Sequence, residues 1–108
     1  MKLSLDAILE IGAEFFGVTV AELKGRNRSA RIALQRQIVM YVMREETGAS
    51  LPQIAQVLGG RDHTTVLHGY DRVSSELDGD PDLSRTINDL RSRLYEPIRV
   101  RQNGPMRM

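Results

Sequence analysis

The feature that most constrains this chain is the spacing of its apolar residues. They recur every three or four positions, in runs that a capping residue opens or a glycine closes. Leu5, Ile8, Leu9, Gly12, Phe15 and Phe16 mark one face of a first helix, with Ser4 as its N-cap and Gly17 as its stop. Thr19-Val-Ala-Glu22 is the S/T-x-x-E pattern of a capping box and opens a short helix through Lys24. Residues 25–29 lose the periodicity and bring Gly, Asn and Ser, so they read as a loop. From Ala30 to Thr47, the residues Ile32, Ala33, Gln37, Val39, Met40 and Met43 define a long helix closed by Gly48. Ser50, with Pro52 in the first turn and Gln53 three residues on, opens a helix over Leu51–Leu58 that ends at Gly59-Gly60. Asp62 caps a further helix through Leu77, with Val66, Tyr70, Val73 and Leu77 on one face. Asp78-Gly79-Asp80 is a turn, and Pro81 starts a last helix with Leu83, Ile87, Leu90 and Leu94 inward. No stretch alternates apolar and polar residues over the length of a strand. The pattern predicts one all-α domain over residues 1–95, of about five to six helices, followed by a flexible basic tail over 96–108.

A chain of 108 residues is one ordinary domain. It has no cysteine, which excludes a disulfide scaffold, a thiolate zinc site, an iron–sulfur cluster and a cysteine nucleophile. No apolar run approaches the roughly 18 residues of a membrane span. Asp6, Glu10 and Glu14 interrupt the amino-terminal apolar stretch, which argues against a secretory signal, so the cytoplasm is the expected compartment. No Gly-x-x-x-x-Gly-Lys-Ser/Thr is present to hold ATP, and no nucleophile constellation or acid–base pair stands out. No catalytic residue, metal or cofactor is therefore expected in this chain. The net charge of +1 hides an uneven distribution. Residues 24–36 hold five basic side chains (Lys24, Arg26, Arg28, Arg31, Arg36) and no acid, whereas residues 71–96 hold seven acids against four arginines. Such blocks read either as a positive face for an anion or as a solvated loop.

The helices over 51–58 and 62–77, joined by Gly-Gly-Arg-Asp, have the spacing of a helix-turn-helix, whose second helix enters the DNA major groove. Asp62, His63, Thr64 and Thr65 open that second helix with groups able to read base edges: a carboxylate for the cytosine amino group, a Thr methyl for thymine. Asp62 also reads as a plain N-cap, and its two oxygens permit both roles. His63 and His68 are five residues apart, about 140° around a helix, which does not suit one metal ion. Three tyrosines and two phenylalanines are too few for a platform that stacks single-stranded bases.

The run Gly59-Gly-Arg-Asp-His-Thr-Thr-Val-Leu-His68 resembles the signature of the DNA-binding domain of the DnaA family of bacterial replication initiators. The likeness extends upstream through Ser50-Leu-Pro-Gln-Ile54, Arg36-Gln37 and Arg28-Ser29, and covers roughly residues 4 to 95. It implies a Trp-repressor-like helical domain that recognises DnaA boxes in double-stranded DNA as a monomer. By the same resemblance Arg28 enters the minor groove, Leu51 and Pro52 touch the major-groove edge, and Asp62, His63 and Thr64 face bases. Arg36, Gln37, Arg44 and Thr65 match positions that contact phosphate, while Arg61 and His68 belong to the signature without an assigned contact. The loop departs from the pattern, because Gly25, Asn27 and Ala30 dilute its basic character. Initiators of this family carry an ATPase domain upstream, where ATP is expected, so the chain reads as a piece of such a protein or a freestanding relative. Two alternatives stay open: a DnaA-like domain that serves a transposase, and a helical module for acidic phospholipid or a regulatory protein. Helix 30–47 mixes Arg31, Arg36 and Arg44 with Glu45 and Glu46, which suits a central helix better than one lying on a membrane.

Overall fold

Six consecutive residues of the longest helix, 38–43, are all buried, which covers every side of a helix of 3.6 residues per turn. That helix is the hub of the domain. The computed structural model describes residues 3–26 and 29–95. Among these residues it holds six α-helices and no strand: α1 (Leu5–Phe16), α2 (Val20–Lys24), α3 (Ala30–Thr47), α4 (Leu51–Val57), α5 (His63–Glu76) and α6 (Pro81–Tyr95). A short 3-10 turn, Leu77–Gly79, links the last two. The expected tail over 96–108 lies outside the described residues, as does Arg28.

α5 and α1 pack on α3, α4 packs on α5, and α6 closes over α1. Ile8 and Leu9 of α1, Val39, Val42 and Met43 of α3, Ile54 of α4, Val66 and Val73 of α5, and Ile87 and Leu90 of α6 meet in one core. Each such side chain contributes about 1.5–3 kcal/mol of burial, opposed by the entropy of ordering the chain. α5 approaches α3 closely because Gly69 lacks a side chain: a Cβ there would lie 2.6 Å from Met40 Sδ. The crossing is fastened above by Tyr70, whose ring stacks on Tyr41 at 5.3 Å and whose hydroxyl donates to Glu45. The carboxylate partner pushes the Tyr70 phenol up to about 12.

The helix ends follow the capping pattern of the sequence. Ser4 accepts from Ala7 N–H at 3.0 Å, and Gly17 closes α1 at φ 72°. Both capping boxes are reciprocal, Thr19 with Glu22 and Ser50 with Gln53. Two ends differ from expectation. α4 stops at Val57, with Leu58 as its C-cap, because the following glycines turn the chain at φ 88° and 77°. α5 stops at Glu76, and Leu77 falls in the 3-10 turn, after which Asp80 caps α6 by accepting from Asp82 and Leu83 N–H at 3.1 Å.

Candidate nucleic-acid interface

The turn between α4 and α5 is built from local chemistry. Leu58 N–H completes α4 on Ile54 O at 3.0 Å, and the N–H groups of Gly60 and Arg61 both return to Ala55 O, at 2.9 and 3.1 Å. Gly59 needs its glycine twice: its φ is positive, and a Cβ would stand 2.5 Å from Lys24 O. Asp62 then starts α5, its Oδ1 accepting from Thr64 N–H at 3.0 Å and Thr64 Oγ1–H at 2.8 Å. These two bonds hold the Asp62 carboxyl below its ordinary range, with His63 a smaller influence at 3.8 Å. Both bonds fall on one oxygen, so capping leaves the second able to accept.

α5 buries Val66, Gly69 and Val73 on one side, which turns Thr64, Leu67, His68 and Asp71 outward. Asp62, His63, Thr64 and Thr65 are all exposed at its start. Beside that start, a cleft of about 320 Å³ is lined by Lys24, Arg26, Gly59, Gly60, Arg61, Asp62 and Thr65. Lys24 and Arg26 are exposed there. Two cations thus flank the positive end of a 14-residue helix, an arrangement that attracts phosphate.

Arg61 of the turn and Arg36 and Arg44 of α3 are engaged with backbone. Arg61 donates from Nη1 to Lys24 O (2.9 Å) and Leu58 O (2.5 Å), and from Nη2 to Gly25 O. Arg36 is 7% exposed and donates to Leu23 O at 2.7 Å and Glu22 O at 3.1 Å. Burial lowers the pKa of both guanidiniums. The Arg36 fork is turned inward, where α2 leaves carbonyls without donors of their own. Arg44 is half-buried, and its Nη1 holds Ala49 O at 2.5 Å across the α3–α4 loop. Gln37 accepts from Arg72 Nη1 at 3.1 Å under α5. Leu51 is half-buried and Pro52 exposed in the first turn of α4, while His68 is exposed beyond the first turn of α5. No three His, Asp or Glu side chains converge as metal ligands among the described residues, and none of their helices is long and apolar enough to cross a membrane. Sequence reasoning missed the carbonyl clamps of Arg36 and Arg61, for which no local signal exists. It also missed the tight crossing at Gly69, whose one signal was a glycine inside a helical run.

The family model of the bacterial dnaA protein helix-turn-helix matches residues 5–73. The chromosomal replication initiator protein DnaA of Thermomicrobium roseum is 48% identical over 99 residues, which cover 92% of this chain and 21% of that protein. Those of Latilactobacillus sakei and Herpetosiphon aurantiacus are 46% and 45% identical, over 86% and 87% of the chain and 21% and 20% of the relatives. The chain therefore spans about a fifth of the length of these curated relatives.

Proposed function

The chain belongs to the bacterial DnaA helix-turn-helix family, and we propose that it binds DnaA boxes of a replication origin as a monomer on double-stranded DNA. The observation that carries this reading is the cleft in which the exposed start of α5 stands beside Lys24 and Arg26. In this reading α5 lies in the major groove, with His63 and Thr64 on base edges and the second oxygen of Asp62 accepting from a cytosine amino group. Leu51 and Pro52 meet the groove edge. Thr65, Gln37 and Arg44 serve phosphates, and Arg28 enters the neighbouring minor groove, where narrow A·T-rich segments concentrate negative potential.

The test is a titration of labelled box duplex and scrambled duplex at one salt concentration. Box affinity is expected to exceed scrambled affinity by roughly a thousandfold or more. His63→Ala and Thr64→Ala are each expected to remove about 1–3 kcal/mol from box binding and little from scrambled binding, with an unchanged melting temperature. Equal affinity of the unaltered chain for both duplexes overturns the reading.

A further inference from the structure

α2 has five residues, so its closing carbonyls find few donors within the helix. Gly25 N–H takes Ala21 O at 2.8 Å. The next four carbonyls in sequence all accept from guanidiniums: Glu22 and Leu23 from Arg36, Lys24 and Gly25 from Arg61. Arg61 lies 37 residues beyond Lys24 in the chain, and it also donates to Leu58 O, the C-cap of α4. One side chain therefore bridges the C-cap of the first helix of the helix-turn-helix and the segment that leaves α2. Gly59 brings the same two strands of backbone together, since nothing larger fits against Lys24 O. The exposed cations Lys24 and Arg26 hang from the carbonyl side of this bridge, and Asp62 and Thr65 from the other.

We propose that Arg61 is a positioning residue. It sets the distance between the basic segment 24–26 and the start of α5, so that both meet one duplex in a single register. The proposal rests on the DNA reading above. A loop held in its bound geometry before association avoids the ordering cost that a loose loop incurs on binding, so the effect of Arg61 is delivered through Lys24 and Arg26. Lysine cannot replace it, because a single ammonium nitrogen lacks the planar fork that reaches three carbonyls at once.

The test uses Arg61→Ala, Arg61→Lys and Arg61→Gln in the whole chain, with two readouts. Without DNA, amide hydrogen exchange is measured at Gly25, whose N–H is held by Ala21 O, with amides of α1 and α6 as the reference for an intact fold. The Gly25 amide is expected to exchange at least tenfold faster in all three variants while the reference amides hold. With DNA, affinity for box duplex is measured across a salt series, alone and combined with Lys24→Ala/Arg26→Ala. About a tenfold loss is expected for Arg61→Lys as for Arg61→Ala, and the Lys24→Ala/Arg26→Ala change is expected to matter less once Arg61 is gone. Restoration by Arg61→Lys, or a loss that simply adds to that of Lys24→Ala/Arg26→Ala, shows a direct phosphate contact and overturns the proposal. Unchanged exchange at Gly25 overturns it without reference to DNA. Equal binding of both duplexes by the unaltered chain overturns the DNA reading alone. If Arg61→Ala does not fold, Arg61→Lys and Arg61→Gln decide by the same criteria.

Discussion

α2 and α4 are both short, and both open with a reciprocal capping box, Thr19 with Glu22 and Ser50 with Gln53, yet they end by different means. α4 is closed by the residues that follow it, as Gly59 and Gly60 turn the chain and N–H groups 60 and 61 come back to Ala55 O. α2 is closed from afar, by a guanidinium 13 residues on and another 37 residues on. A helix end satisfied by its own neighbours makes no demand on the rest of the molecule. One satisfied by distant arginines engages those cations with backbone, and fastens the elements that supply them. This is why two of the basic residues nearest the cleft act on backbone, while Lys24 and Arg26 remain open to a ligand.

The largest effect that tests this contrast is expected at Arg36. Arg36→Ala removes two charge-assisted bonds from a buried position, each worth about 1.5–3 kcal/mol. A loss of about 3 kcal/mol is expected, or roughly 15 °C in Tm for a domain of this size. The slope of log affinity against log salt for DNA should stay as it is. An unchanged Tm with a slope flattened by about 0.9 would break the contrast and give Arg36 to phosphate instead of backbone.

Gly59 and Gly60 sharpen it next. Both have positive φ, but an added Cβ meets Lys24 O at Gly59 and open space at Gly60. Gly60→Ala is expected to cost about 1 kcal/mol, from the left-handed backbone alone. Gly59→Ala is expected to cost about 2–3 kcal/mol, because the turn must also move away from α2. Denaturant melts of the two variants give the difference. Equal losses would mean that the turn does not lean on α2.

The capping boxes themselves should be equivalent. Thr19→Ala and Ser50→Ala each remove one bond to an N3 amide, of 3.0 and 3.2 Å, and each is expected to cost about 1 kcal/mol by denaturant melts. A much larger loss at Thr19 would show that α2 depends on its start as well as on its arginines.

These sites mark the limit of what was legible in the sequence. Ser4, Thr19, Ser50 and Asp62 act on amides two or three residues away, so their roles are written in adjacent letters, and with them the number and order of the helices. The exposed start of α5 follows from the same local logic. Arg36 is different: nothing in residues 30–47 says that the end of α2 will lie beside its fork, since that depends on how α2 folds back on α3. Gly69 looks like a cost in a helix until Met40 is placed opposite it. Tertiary approach decides both, and a periodic pattern carries no distance between faces.

The smallest effect lies at the C-terminal end of α3, where side chains are fastened to side chains. Glu46 accepts from Arg91 Nε at 2.5 Å and from the Tyr95 hydroxyl, tying α3 to α6. Burial alone would raise its pKa, but the bonds from Tyr95 and Arg91 outweigh burial and hold it below the ordinary 4.5. A carboxyl with a depressed folded-state pKa contributes stability above its unfolded value and loses it as pH falls through the folded one. The contribution of Glu46 should therefore be complete at neutral pH and fade below about pH 4.5. Arg91 is partly exposed, so the ion pair is screened and the contribution is about 1 kcal/mol or less. Thermal melts of the unaltered chain and of Glu46→Gln between pH 7 and pH 3 check this. The gap in Tm is expected to narrow as the pH drops below 4.5, because the unaltered carboxyl then becomes neutral as well. A gap that stays constant to pH 3 would mean that Glu46 holds α6 by shape and hydrogen bonding alone. The two places would then differ in partner only, backbone at the cleft and side chain at α6, and not in their response to pH.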